Sequence, residues 1–263
     1  MRVLAATSLL SLFCFAAHAE NCFDSRPWTK SFLDTTLSFS LERVSPSRGS
    51  KKSCRSNQKG ITEGVALFST APYPEWQVDV AVAGKSIETG KIAGRAEKLL
   101  FSDLQGSPCA VSCVFGLTVA REKRVKKPTF FEMARHAAEG GVGVGKHFYV
   151  GKNSYTQVFS YLLGGIGKGA EWTNIEIGLF HSFFQKHSIR CSLSHLKSFG
   201  HYHEFHQGYG SIETQQKLFS FQYTVRFTEG DLFIRYGKRW LERGPIRSAQ
   251  TWRIGLSFDL FPI

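Results

Sequence analysis

The sequence predicts an all-β fold: a closed, antiparallel, up-and-down transmembrane β-barrel of about twelve strands. Three observations predict it. Apolar residues recur at every second position in segments that return about every 20 residues. The connections between those segments are short and long in turn. No apolar run reaches the roughly 18 residues that a membrane-spanning helix requires. Composition agrees. The 263 residues are 42% apolar and 14% aromatic, too apolar for a disordered chain, and 23 Phe and 25 Gly against 2 Met lean toward strands.

The N-terminus comes first. Met1 and Arg2 give a basic start, Val3 to Ala17 a mainly apolar run, and Ala17-His18-Ala19 the small residues of a cleavage site. This pattern predicts an export signal over residues 1–19, cut after Ala19. Phe13, before Cys14, is too bulky for lipoprotein processing. Residues 20–263 are then the barrel, with 20–31 a periplasmic lead-in. Export places Cys22, Cys54, Cys109, Cys113 and Cys191 where disulfides are permitted. Their number is odd, so at least one is unpaired within the chain. Cys109 and Cys113 have no second pair at metal-ligand spacing, and neither a metal nor another cofactor is expected.

The first strand is expected at 32–44. Leu33, Thr35, Leu37, Phe39 and Leu41 form one face, with Asp34, Thr36, Ser38, Ser40 and Glu42 on the other. Further strands follow at 61–70, 76–84, 94–102, 109–120 and 130–145. The last contains Gly140, Gly141, Gly143 and Gly145. Val142 and Val144 alternate among them and no Lys-Ser/Thr follows, so a glycine-relaxed strand is expected rather than a phosphate loop. The second half gives 154–165, 172–183, 189–200, 215–227, 231–241 and 250–261. In the tenth, Phe219, Phe221, Tyr223, Val225 and Phe227 alternate with Ser220, Gln222, Thr224 and Arg226. In the twelfth, Trp252, Ile254, Leu256, Phe258 and Leu260 alternate with Arg253, Gly255, Ser257 and Asp259. Residues 71–75, 184–188 and 228–230 are short connections, while 45–60, 85–93, 121–129, 201–214 and 242–249 are longer. Short turns at one end and longer loops at the other are the layout of a bacterial outer-membrane barrel, and an even count puts both termini on one side. A soluble sandwich or lipocalin-like barrel shares the alternation. Phe, Tyr and Trp near strand ends, together with a polar set of mixed size and charge, favour the membrane barrel.

The C-terminus carries a resemblance. Arg253-x-Gly255-x-x-Phe258-x-Leu260 matches polar-x-Gly-x-x-apolar-x-apolar. This is similar to the β-signal that the barrel-assembly machinery of Gram-negative bacteria reads on outer-membrane β-barrel proteins. Pro262-Ile263 departs from that family, which usually ends at an aromatic residue near Phe261. The resemblance implies that the assembly machinery is a partner and that outer-membrane lipid surrounds the protein.

With the apolar faces toward lipid, alternation sends Arg190, Arg226, Arg235, Arg239 and Arg253 into the lumen, on strands nine to twelve. It also sends in Asp34, Glu42, Asp79 and Glu176. An arginine-lined narrow pore would attract small anionic solutes. Alternatively the arginines pair with the acids and close the lumen, leaving a surface-exposed binding or structural protein. The formal charge of +12 is also carried by loops: Arg48, Lys51, Lys52, Arg55 and Lys59, and the run Arg121 to Lys127. These would meet lipopolysaccharide phosphates or an anionic host or matrix polymer, or simply be solvated. Charge divided in this way, on an exported chain, disfavours nucleic acid as a partner. No enzyme is expected. His201, His203, Glu204 and His206 read as a polar loop. A lipid hydrolase would need His and Ser two apart on one face, whereas His181 is followed at that spacing by Phe183, and Ser182 faces the other side. The sequence leaves the oligomeric state open.

Overall fold

The computed structural model describes residue 28 and residues 33–46, 61–84, 91–120, 136–167, 170–200, 214–241 and 248–260. The expected export signal, Cys22, Cys54, the basic loop residues and the histidine-rich loop lie outside the described residues.

Twelve strands form the chain: β1 (Thr35–Pro46), β2 (Ile61–Tyr73), β3 (Trp76–Gly84), β4 (Lys91–Phe101), β5 (Ala110–Ala120), β6 (His136–Gly151), β7 (Ser154–Gly167), β8 (Ala170–Phe183), β9 (His187–Gly200), β10 (Thr214–Phe227), β11 (Gly230–Leu241) and β12 (Ser248–Asp259). Each pairs antiparallel with its neighbours in sequence, and β1 pairs with β12, so the sheet closes without a free edge. Closure matters because a bilayer offers no water to an unpaired backbone group. The seam is in register along its length, from Thr36 opposite Asp259 to Pro46 opposite Ala249. One hydrogen bond extends it past β12, from the Leu260 N–H to the Thr35 carbonyl at 2.9 Å.

The two faces reverse the order of a soluble protein. Phe115, Leu117, Leu162, Ile175, Ile177, Leu193, Ile254 and Leu256 point outward and are exposed. Ser38, Ser40, Ser69, Gln77, Gln157, Ser192 and Ser220 point inward and are buried. A soluble sandwich would hide the first set and wet the second. The arrangement here suits lipid outside and polar groups within. An aromatic girdle marks the short-turn end on β8–β10, where Phe183 stacks on His187 at 5.4 Å and His187 on Tyr223 at 6.0 Å. The β8–β9 turn there holds Phe184 and Gln185 at φ of 54° and 57°, the primed geometry that follows strand twist.

The glycine tract is a strand, described over His136–Gly151, so it runs past the expected end at 145, while residues 130–135 of the expected strand lie outside the described residues. Its pairing with β7 continues through Lys146 and Tyr149 to Gly151 opposite Ser154, beyond the point where the glycines suggested an end. Other strand ends moved less. β4, for instance, begins at Lys91 rather than 94. Inward-facing Gly143 makes room for a neighbour: a Cβ there would lie 2.4 Å from the Tyr161 ring and 2.7 Å from Ser112 Oγ. Gly178 accommodates Phe159 and Gly165 accommodates Trp172 in the same way. Among the described residues there is no disulfide, and Cys109, Cys113 and Cys191 are free thiols.

Candidate functional site: the barrel lumen

The lumen is filled unevenly. On β5 and β7, Val114, Phe159, Tyr161 and Leu163 pack into one buried cluster, joined by Trp28 and Phe180. Their bulk fits because β6 and β8 present glycines beneath them. The rest of the circumference from β9 to β12 and β1 presents serines and arginines. Ser192 and Ser220 are hydrogen-bonded at 2.8 Å and Ser38 donates to Ser257 at 2.9 Å.

Four of the five expected arginines face this lumen. Arg190 donates to Glu176 at 3.2 Å and lies over the Phe159 ring at 5.0 Å. Arg235 donates to Ser220 Oγ at 3.3 Å. Arg253 donates to Ser40 Oγ at 2.8 Å and lies over Phe233 at 5.8 Å. Arg239 is buried on the same wall. Arg226 is the exception. Its side chain follows the alternation, but it stands beside the β10–β11 turn, two-thirds exposed, and pairs with Asp231 at 3.2 Å. Periodicity gives direction without depth, so it does not separate a rim residue from a mid-lumen one.

The expected acids divide similarly. Glu176 and Asp79 are inside, Asp79 accepting from the Gln77 amide at 3.0 Å. Glu42 sits on β1 opposite Arg253 of β12. Asp34 lies before β1, where its carbonyl accepts from Ala71.

The densest part of the lumen is a group that the sequence reading missed. Arg95 and Glu97 of β4 are paired at 3.1 Å, with side chains only 3% and 5% exposed. Ser112 and Tyr161 each donate to Glu97 at 2.6 Å, and Arg95 sits over the Tyr161 ring at 5.3 Å. Glu176 of β8, paired with Arg190, is a second acid of the interior. Glu63 of β2 is a further buried acid. The signal was present as alternation of Ala93, Arg95 and Glu97 with Gly94 and Ala96, but small residues gave the strand no clear apolar face.

A second cluster occupies the short-turn mouth. Trp28 donates to Asp103 Oδ1 at 2.9 Å and packs edge-on against His147 at 4.3 Å. The His147 backbone N–H donates to Asp103 Oδ2 at 2.6 Å, and its ring meets Gln157 on the far side. Burial works against the Asp103 charge, but the hydrogen bonds from Trp28 and His147 outweigh it and hold the carboxyl below its ordinary value. Among the described residues no group of His, Cys, Asp and Glu is arranged to hold a metal ion.

A closed sheet, an apolar outer wall and a polar interior together define a transmembrane β-barrel of the outer-membrane type. No family model matches the sequence, and no curated protein does. Solved structures do resemble it. The COG4313 outer membrane channel from Pseudomonas putida F1 aligns over 90% of this chain and 100% of its own at 9% identity, with a TM-score of 0.55. LpxR from Salmonella typhimurium aligns over 85% and 100% at 7% identity, with a TM-score of 0.53. The NanC porin aligns over 85% and 100% at 12% identity, with a TM-score of 0.52. At such identities the likeness is one of fold.

Proposed function

We propose that this protein is an outer-membrane channel of narrow bore with a preference for small anionic solutes. The observation that carries the reading is the wall of β9 to β12 and β1. Arg190, Arg235, Arg239 and Arg253 face inward there among small serines, with Arg190 at the border against the Phe159 ring of the bulky cluster. A guanidinium keeps its charge at every physiological pH and offers several donors to a carboxylate or phosphate. Serines beside it leave space and supply weaker hydrogen bonds. The COG4313 outer membrane channel and the NanC porin share this fold, which supports a channel reading here. Residence in the outer membrane follows from the exposed apolar wall and the expected export signal, with insertion guided by Arg253, Gly255, Phe258 and Leu260 as the assembly signal.

A second reading has its own support. Arg190 is 4% exposed, Arg253 6% and Glu97 4%. Such tight packing favours a closed lumen and a role in binding or structure at the surface. Conductance of the refolded protein in a planar bilayer, under a salt gradient, decides between them. The channel reading expects small unitary steps and an anion-selective reversal potential. Replacing Arg190 and Arg235 with Ser should move that potential toward zero. An unchanged potential would remove the arginine wall as the selector, and absence of conductance in the parent protein would favour the closed barrel.

A further inference from the structure

The outer wall near the long-loop end breaks the apolar pattern at a few adjacent positions. Arg43 of β1, Lys238 of β11 and Lys217 of β10 all occupy outward positions of their strands. Each lies three residues inside the long-loop end of its strand, which places them at one level. A cation is costly in the middle of the hydrocarbon and nearly neutral at its edge, where it meets headgroups. Tryptophans share the level. Lys238 lies over the Trp240 ring at 5.3 Å, and Trp252, opposite Arg43 in the seam, packs on Tyr236 at 4.8 Å. Trp and Tyr favour the headgroup region for their mixed character.

A second observation points to a ligand. Beside Arg43 the outer wall has a recess of about 270 Å³, lined by Leu41, Arg43, Thr62, Ile234, Trp252 and Ile254. Glu42 and Arg253 complete its floor, and alternation turns their side chains the other way. The recess is therefore apolar with a cation at its upper border. Arg43 and Lys238 flank β12, two strand spacings apart and two residues offset along the ladder, or roughly 12 Å, which both long side chains can close toward one group.

We propose that the outer wall of β11, β12 and β1 is a seat for a phosphate-bearing lipid of the outer leaflet. Its headgroup phosphate lies between Arg43 and Lys238, and one acyl chain fills the recess over Ile234 and Ile254. The seat is independent of what the lumen carries.

Native mass spectrometry of the full-length refolded protein in detergent tests it, with diphosphoryl lipid A and phosphatidylcholine as the probes. The parent protein should retain lipid A in preference to phosphatidylcholine. Arg43→Gln with Lys238→Gln should weaken lipid A binding about 30-fold and leave phosphatidylcholine unchanged. Lys98→Gln with Lys146→Gln, which removes two outward cations at the short-turn end, should leave both unchanged. Undiminished lipid A binding in the first variant overturns the seat. So does an equal loss in the second, which would reduce the effect to general charge. If the first variant does not fold, Arg43→Gln alone should weaken binding about five-fold, and no change there is equally decisive.

Discussion

Gly143→Ala adds a single methyl group to the interior, and its effect follows from three distances. The added Cβ would stand 2.4 Å and 2.8 Å from two ring carbons of Tyr161 and 2.7 Å from Ser112 Oγ. All are well inside van der Waals contact, so something must move. The β6 backbone is held by ladders on both sides, which leaves the ring to give way. The Tyr161 hydroxyl donates to Glu97 at 2.6 Å, so displacement of the ring also disturbs that bond. Overpacking of this kind costs about 1–3 kcal/mol, and a weakened hydrogen bond to a charged group adds about 1 kcal/mol. The expected loss is therefore about 2–4 kcal/mol. Reversible urea unfolding in lipid vesicles, followed by tryptophan fluorescence, measures it. The sharper readout is a cycle with Tyr161→Ala, which removes the obstructing ring. The two substitutions should couple by at least about 1 kcal/mol, with the double variant losing less than the sum. Additivity within about 0.5 kcal/mol would refute the interlock between this glycine and this ring.

Two further outcomes are expected. Phe221→Arg, on the lipid face, should lower stability by about 2–4 kcal/mol in vesicles, whereas Gln222→Arg, facing the lumen, should still insert, and the reverse order would mean the alternation is shifted by one residue. The Asp103 carboxyl is held below its ordinary value, so its contribution to stability is present above the ordinary aspartate pKa and is lost as pH falls through the lowered one. Acid titration of the urea midpoint should show that loss, and Asp103→Asn should flatten it. A slope retained in the variant would assign the acid sensitivity elsewhere.

The barrel was legible because closure and alternation are written in apolar side chains. Phe219, Phe221 and Tyr223, and Trp252, Ile254 and Leu256, declare their faces without any knowledge of the partner strands. The same periodicity places Arg190, Arg235, Arg239 and Arg253 inside. It says nothing about height, which is why Arg226 was grouped with them although it stands at the rim. The central group of Arg95, Glu97, Ser112 and Tyr161 escaped for another reason. Its members come from β4, β5 and β7, and only the register of those strands brings them together. The Trp28 contact with Asp103 joins residues 75 apart through a turn with no distinguishing pattern.

The lopsided interior has a consequence for how such a protein can change over generations. The parts that hold the wall in shape, Gly143 under Tyr161 and Gly178 under Phe159, lie on β6 to β8. The arginines and serines that would meet a solute lie mainly on β9 to β12 and β1. Substitutions distant from one another act almost independently. On the channel reading, small polar side chains of β10 to β12 and β1 can be exchanged without touching those glycine–ring pairs, whereas Arg190, against Phe159 and Glu176, ties the two regions together. On that reading, variation in selectivity is expected first on β10 to β12, away from the packed rings of β7.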